Sequence, residues 1–348
     1  MIMKEILPII MDTSFQRLAV IDDYSSLIWT KRYYACGDFE LCVPVDQVNT
    51  SLFQKHYYVV RDDDDDVGII EDIKISKNGD AGEMMIITGR FLPSILGRRI
   101  IAVQTSVSGK ISACINTLIN QNVISPSASS RTINNFVLGS YSFNTTIEAQ
   151  YTGDNLLTVI QQLCETYGLG FKVTLNSQKQ FVFQLYEGTD HTYDQTENPW
   201  VIFSDEYDNL VSYEYEENYK DIATAVLVAG EGEGLDRKTA WSTNGATGIN
   251  RFELYKDQRD LQSNNGEISD SKYNAMLKEI GKQLITTYTQ GFTGDVYFDA
   301  DQNENVKVGD LVVIENTKWN VRVNSRIVEM IESISEAGEH KIIPTFGA

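Results

Sequence analysis

The stretch His56–Ile75, HYYVVRDDDDDVGIIEDIKI, sets two apolar runs on either side of five consecutive aspartates, Asp62–Asp66. Both runs are too short for helices and rich in Val, Ile and Tyr, which pack well on a half-buried pleated surface. Only the acidic run separates them, so the spacing predicts a β-hairpin with the aspartates at its tip. Five adjacent like charges are tolerable only in water, and the tip is expected to be a solvated loop. A tip that needs a hard cation such as calcium is the alternative that carboxylate oxygens leave open.

The texture continues on both sides. RLAVIDDYSSLIWTKRYY, from Arg17, reads as strand, turn at Asp22–Asp23, strand. GDFELCVPV, from Gly37, places Phe39, Leu41, Val43 and Val45 on one face and Glu40 and Cys42 on the other. NGDAGE carries turn chemistry before MMIITGRF. Residues 1–102 therefore read as short antiparallel strands of a barrel or sandwich. After Arg98–Arg99 helical periodicity appears. Ile111, Ile115, Leu118 and Ile119 share one face, and Leu156, Leu157, Ile160, Leu163, Cys164 and Tyr167 form a second stripe. Thr152 or Asp154 is placed to cap that second helix, and Gly168 or Gly170 to take its left-handed exit. Residues 103–200 are expected to be a small α/β unit. Strands return over 201–348, interrupted by one long helix near 269–288, with Ser269 as cap and Ile268 stapled onto Tyr273. The fold class is β-rich α+β.

Lys plus Arg is 29 and Asp plus Glu is 49, a formal charge of −20. That argues against a grip on nucleic acid or on an anionic membrane, both of which need cations. An acidic wall suits a conduit better than a binder of phosphate. Cys36, Cys42, Cys114 and Cys164 match neither metal-ligand spacing nor a dense disulfide framework. Cys114 and Cys164 read as small core residues, Cys36 and Cys42 as two positions of one alternating segment that share a face, and the usage suits a reducing compartment. The N-terminal EILPIIMD is not a signal peptide, and no run approaches the ~18 apolar residues of a membrane span.

No motif marks a reaction centre. Gly230–Gly234, GEGEG, has the wrong spacing and no lysine for a phosphate loop, and reads as a bulged strand end. Asp299, Asp301 and Asn303 match the first three ligand positions of an EF-hand loop, but Glu304 replaces its glycine and Asp310 its bidentate glutamate. These four are calcium candidates in what reads as a structural loop. His56, His191 and His340 have no acidic or cysteine companion at ligand or triad spacing, and His56 and His340 each open an expected strand. Abundant carboxylates leave a glycosidase-type pair open without marking one. No cofactor site and no catalytic residue is assigned, and the chain reads as a non-enzyme.

Several phrases together carry a resemblance: YYACGDFELCVPV, YYVVRDDDDDVGIIEDI, ITGRFLPSILGRRII, QYTGDNLLTVIQQLCETYGLGFKV, LVAGEGEG, NRFELYKDQRDL and HKIIPTFG. In this order, from about Val20 to Gly347, they resemble siphophage and prophage tail-hub proteins, which are similar in fold to the baseplate hub of contractile tails. The phrases are strand and turn signatures, so they speak for fold and role. The resemblance implies two β-barrel-like ring domains (1–102 and 201–348) around the α/β domain 103–200. It implies a homotrimer at the virion tail tip whose six ring domains match the sixfold tail tube. Its partners would be the distal tail protein, tail tube, tape measure and tip proteins, with DNA passing through an acidic bore. The chain ends at TFGA, so no lytic extension is expected. A carbohydrate-binding receptor protein, with loops such as EGTDHTYDQTENPW as a sugar platform, and a peptidoglycan hydrolase are the competing functions.

Overall fold

The computed structural model describes residues 6–77, 82–220, 222–286, 289–296, 306–335 and 339–347. The first part supplies β1 (Ile9–Met11), β2 (Arg17–Val20), β3 (Ser26–Arg32), β4 (Asp38–Pro44), the short helix α1 (Gln47–Leu52), β5 (Tyr58–Val60), β6 (Gly68–Lys77) and β7 (Glu83–Phe91). A 3-10 turn over Leu92–Arg98 leads into β8 (Thr105–Lys110), α2 (Ile111–Ile119), β9 (Phe136–Leu138), β10 (Thr146–Tyr151), α3 (Leu156–Tyr167), β11 (Gly170–Leu175) and β12 (Phe181–Tyr186). The remainder contains β13 (Ile202–Ser204), β14 (Leu210–Asn218), β15 (Ala225–Ala229), β16 (Thr239–Thr243), β17 (Glu253–Asp257), α4 (Asp270–Gln283), β18 (Thr289–Val296), β19 (Leu311–Asn316), β20 (Val321–Ser335) and β21 (His340–Gly347).

Alternation decides the first sheet. Phe39, Leu41 and Val43 point inward from β4 while Glu40 and Cys42 point away, as period-two side chains must. The strands pair in the order β13-β19-β20-β3-β4-β7-β6-β5-β1-β2, with β21 on the other side of β20. β20 is the hinge of this architecture. Its first half pairs with β19, from Val321 to Arg326, and its second half pairs with β3, from Glu329 to Ser335. Fifteen residues at about 3.3 Å each span roughly 50 Å, long enough to take β19 and β3 as successive partners along its length. Strands from both expected barrel-like parts thus join one open sheet, and no barrel closes among the described residues.

Among the described residues three apolar cores form. The largest gathers Trp29, Phe39 and Phe91 of the first sheet with α2, α3 and β11–β12, and reaches Ile334 of β20. The helical stripes are as periodicity requires: Ile111, Ile115, Leu118, Ile119, Leu156, Ile160, Leu163 and Cys164 are fully buried. Asn155, neither Thr152 nor Asp154, caps α3, accepting from the N–H groups of Leu157 and Thr158, and Gly168 takes the left-handed exit at φ 68°. Gly170 is instead an extended strand residue packed on Tyr33, where a Cβ would lie 2.3 Å from the ring. A second core joins Phe203, Val312, Ile314 and Ile327, and a third packs α4 under β15 and β16. Ser269 caps α4 as its sequence indicates. Cys36 and Cys42 do not share a face: Cys36 precedes β4 and is buried, whereas Cys42 lies on the outward side.

Candidate functional site

The hairpin is present, with Tyr58 opposite Ile69 and Val59 opposite Gly68. Its tip is not a freely solvated loop, because Asp63 pairs with the adjacent Arg61 and the other four aspartates each meet a cation from elsewhere in the chain. Arg17 of β2 holds Asp62 at 2.5 Å. Arg61 donates to both oxygens of Asp63, at 3.0 and 2.8 Å. Lys31 of β3 contacts Asp64 and stands 3.9 Å from Asp66, and Lys172 of β11 stands 3.9 Å from Asp65. The Asp64 side chain is only 5% exposed and that of Asp65 is 87% exposed, so the tip faces both inward and outward. Crowded carboxylates are tolerated here because the fold brings cations to them.

Electrostatics follow from that placement. Burial and the neighbouring Asp64 push the Asp66 carboxyl up to about 6, against the pull of Lys31 and Lys172. Burial alone would lower Lys31, but Asp64 and Asp66 outweigh it and its pKa is raised. One layer below, Arg61 is bound to Glu332 of β20 as well as to Asp63, and its guanidinium lies 5.5 Å above the Trp29 ring. His340 bonds the same Glu332 at 2.8 Å. Burial would raise Glu332, yet its bonds to His340 and Arg61 hold it down at about 2. The tip therefore clasps β2, β3, β11 and β20. Beside it opens a cleft of about 760 Å³, lined by the aspartates, Lys31, Lys172, Lys307, Phe171 and Tyr186.

The other sequence candidates are dispersed. Asp299, Asp301 and Asn303 lie outside the described residues. Asp310 is buried, its carboxylate accepting from the backbone N–H groups of Thr189 and Lys307, and it stands 3.5 Å from His191 Nε2. The histidines do have acidic companions, Asp310 for His191 and Glu332 for His340, which separations of 119 and 8 residues concealed. His56 precedes β5 in a left-handed turn, at φ 71°, and His340 opens β21. Gly230–Gly234 forms a turn in which Gly230 packs on Tyr273 and Gly232 and Gly234 have positive φ. Loop 188–200 closes on Gln195, whose side chain makes four hydrogen bonds within it, and sets exposed Trp200 edge-on to Tyr193. Among the described residues no group of three His, Cys, Asp or Glu is arranged to hold a metal ion, and no helix is long and apolar enough to cross a membrane.

The family model described as Siphovirus ReqiPepy6 Gp37-like protein matches residues 7–348. Solved structures share the fold at low identity. A tail protein from Neisseria meningitidis MC58 superposes with a TM-score of 0.59 at 12% identity, covering 99% of this chain and 97% of that one. Prophage tail protein gp18 from Listeria monocytogenes EGD-e gives 0.58 at 13% identity, over 98% and 94%. The 43 kDa tail protein of prophage MuSo2 from Shewanella oneidensis gives 0.55 at 12%, over 97% of each chain. No curated protein sequence matches this chain.

Proposed function

The chain belongs to the family of the Siphovirus ReqiPepy6 Gp37-like protein, with the fold of phage tail proteins, and on that premise we propose that it is the structural hub of a tail tip. Three copies close a ring that adapts the sixfold tail tube to a threefold tip, and DNA and the tape measure pass through its bore. The ring units are residues 1–102 and 201–348, with 103–200 between them. The distal tail protein, tail tube and tip proteins are its neighbours. The observation that carries this reading is β20. One strand pairs with β19 at one end and β3 at the other, joining strands of the two proposed ring units in one sheet within a subunit, and on this reading three subunits supply six units.

The role is non-catalytic. What supports this is that each histidine–carboxylate pair is engaged by structural bonds: His191 Nδ1 by the Pro199 carbonyl, Asp310 by two backbone N–H groups, and Glu332 by Arg61. Light scattering of the purified chain tests the ring. A particle of three times the 39.2 kDa chain mass, seated on the axis in images of tails, is expected. A chain that stays monomeric at high concentration and sits off the axis overturns the proposal.

A further inference from the structure

Arg98, Arg99 and Arg131 stand together without an acid. Arg99 donates from Nε to the Arg131 carbonyl and from Nη1 to the Arg98 carbonyl, both at 2.9 Å. Arg131 donates from Nη2 to the Ile100 carbonyl at 2.6 Å and to Asn122 Oδ1 at 3.3 Å. These partners are neutral, so they fix two guanidinium groups and leave their charges uncompensated. At Arg17, Arg32, Arg61 and Arg90 a carboxylate outweighs burial and raises the pKa. At Arg99 burial acts together with the charges of Arg131 and Arg98, and the pKa falls. Glu71, the carboxylate that feels Arg98, is already engaged by Arg90 through two bonds. Like charges gathered in this way repel unless an anion joins them.

Arg131 lines a cleft of about 450 Å³. Buried Thr105 and Asn122, with Gln121 and the exposed Ser125 and Ser127, line it too. Here α2 runs on into a π turn over Asn120–Ile124, closed by the Ser125 N–H on the Asn120 carbonyl at 2.7 Å. Such widened turns recur at functional sites, and this one carries Gln121 and Asn122 to the cleft. Gln121 Oε1 lies 3.0 Å from Thr105 Oγ1, which leaves the Gln121 amide N–H donors without a partner among the described residues. Both Nη2 hydrogens of Arg131 are used, so its Nε–H and its Nη1 hydrogens are uncommitted there as well. None of the lining residues is acidic, although the chain holds 49 Asp and Glu. Arg131 is the one charge among them and Val103 the one large apolar side chain.

We infer that this cleft binds a phosphate ester of a sugar or polyol. The Nε and Nη1 edge of Arg131 is a fork held in place before binding, and it matches two oxygens of a phosphoryl group. Arg98 and Arg99 add attraction without contact. The hydroxyl and amide groups of Ser125, Ser127 and Gln121 suit the remaining phosphoryl oxygen and the hydroxyls of the ester. The volume is that of a small-molecule site, and its lining is too polar for an apolar ligand. A nucleic acid would need a track of cations along its backbone, where this cleft has one lining arginine on a chain of −20. This inference does not rest on the ring.

Calorimetry of the full chain at low salt with glucose 6-phosphate, glycerol 3-phosphate, inorganic phosphate and glucose tests it. Saturable binding of at least one ester is expected, with inorganic phosphate weaker and glucose at background. Arg131→Gln should weaken binding about tenfold or more, and Arg131→Lys, which keeps the charge and loses the fork, should fall between. Arg322→Gln, on β20, should leave binding unchanged. Circular dichroism and melting temperature confirm folding of each variant. Arg99→Gln leaves the Arg131 tethers in place and should weaken binding about threefold, so the test survives a misfolded Arg131 variant. No saturable binding of either ester at millimolar concentration overturns the inference, as does binding that survives Arg131→Gln in a folded chain. Inorganic phosphate binding as tightly as the esters overturns the ester assignment. Tighter binding of hexaglutamate or of a short single-stranded oligonucleotide than of either ester gives the cluster to a macromolecule and overturns it too.

Discussion

Asp66 holds its proton up to about pH 6 in the folded chain, against 3.8 for the free side chain. Folding therefore takes up a proton between those values. This contribution to stability is present below the unfolded pKa and is lost as pH rises through about 6. Asp66→Asn, which mimics the protonated group, should raise stability at about pH 8 by about 1–2 kcal/mol and lose that advantage near pH 4. Melting curves across that range check it, and a variant less stable at pH 8 would show that the pull of Lys31 dominates instead. The hairpin around this residue was legible because its two strands are local in sequence. Its cations were not, since Arg17, Lys31 and Lys172 lie tens to a hundred residues away and only the packing of the folded chain brings β2, β3 and β11 beside the tip. Cysteine chemistry belongs to the same scale. Burial pushes Cys36 up to about 12 and Cys114 to about 11, and raises Cys164, which has no exposed surface. Cys42 is the half-exposed thiol, so iodoacetamide near neutral pH should label it first, as peptide mass mapping would show.

Helix α3 shows how far local signals carry. Its buried stripe follows from 3.6-residue periodicity and needs no tertiary information. Its first residue does not. Thr152, Asp154 and Asn155 all have capping chemistry, and the choice falls to Asn155 because its Nδ2 also donates to the Gly97 carbonyl at 2.8 Å. Asp154 is used one turn earlier, accepting from the Thr152 N–H. Asn155→Ala should therefore cost about 1–2 kcal/mol in chemical denaturation, while Asp154→Ala should cost a few tenths. Equal costs would return the cap to Asp154. β20 makes the same point for strands. Its alternating run is plain in the sequence, but partners at Val321–Arg326 and Glu329–Ser335 come from opposite ends of the chain, and nothing local announces one strand with two such distant partners.

At the scale of the whole molecule, composition alone gave the charge, and the charge constrains assembly. Each chain carries −20, and the proposed ring would bring three times that together. Self-repulsion of this kind opposes closure and weakens as salt shortens the screening length, from about 10 Å at 0.1 M to about 3 Å at 1 M. Apolar burial between subunits strengthens slightly or holds under the same change. The proposed ring should therefore form more completely as ionic strength rises, with the three-chain species gaining in light scattering at fixed protein concentration. It should also form more readily as pH falls from neutrality toward the pI near 4.5. Association that weakens with salt would mean that opposite charges face each other across the contact. The acidic surplus would then have to lie away from the subunit boundaries, and a lumen lined by it would need direct imaging of the bore.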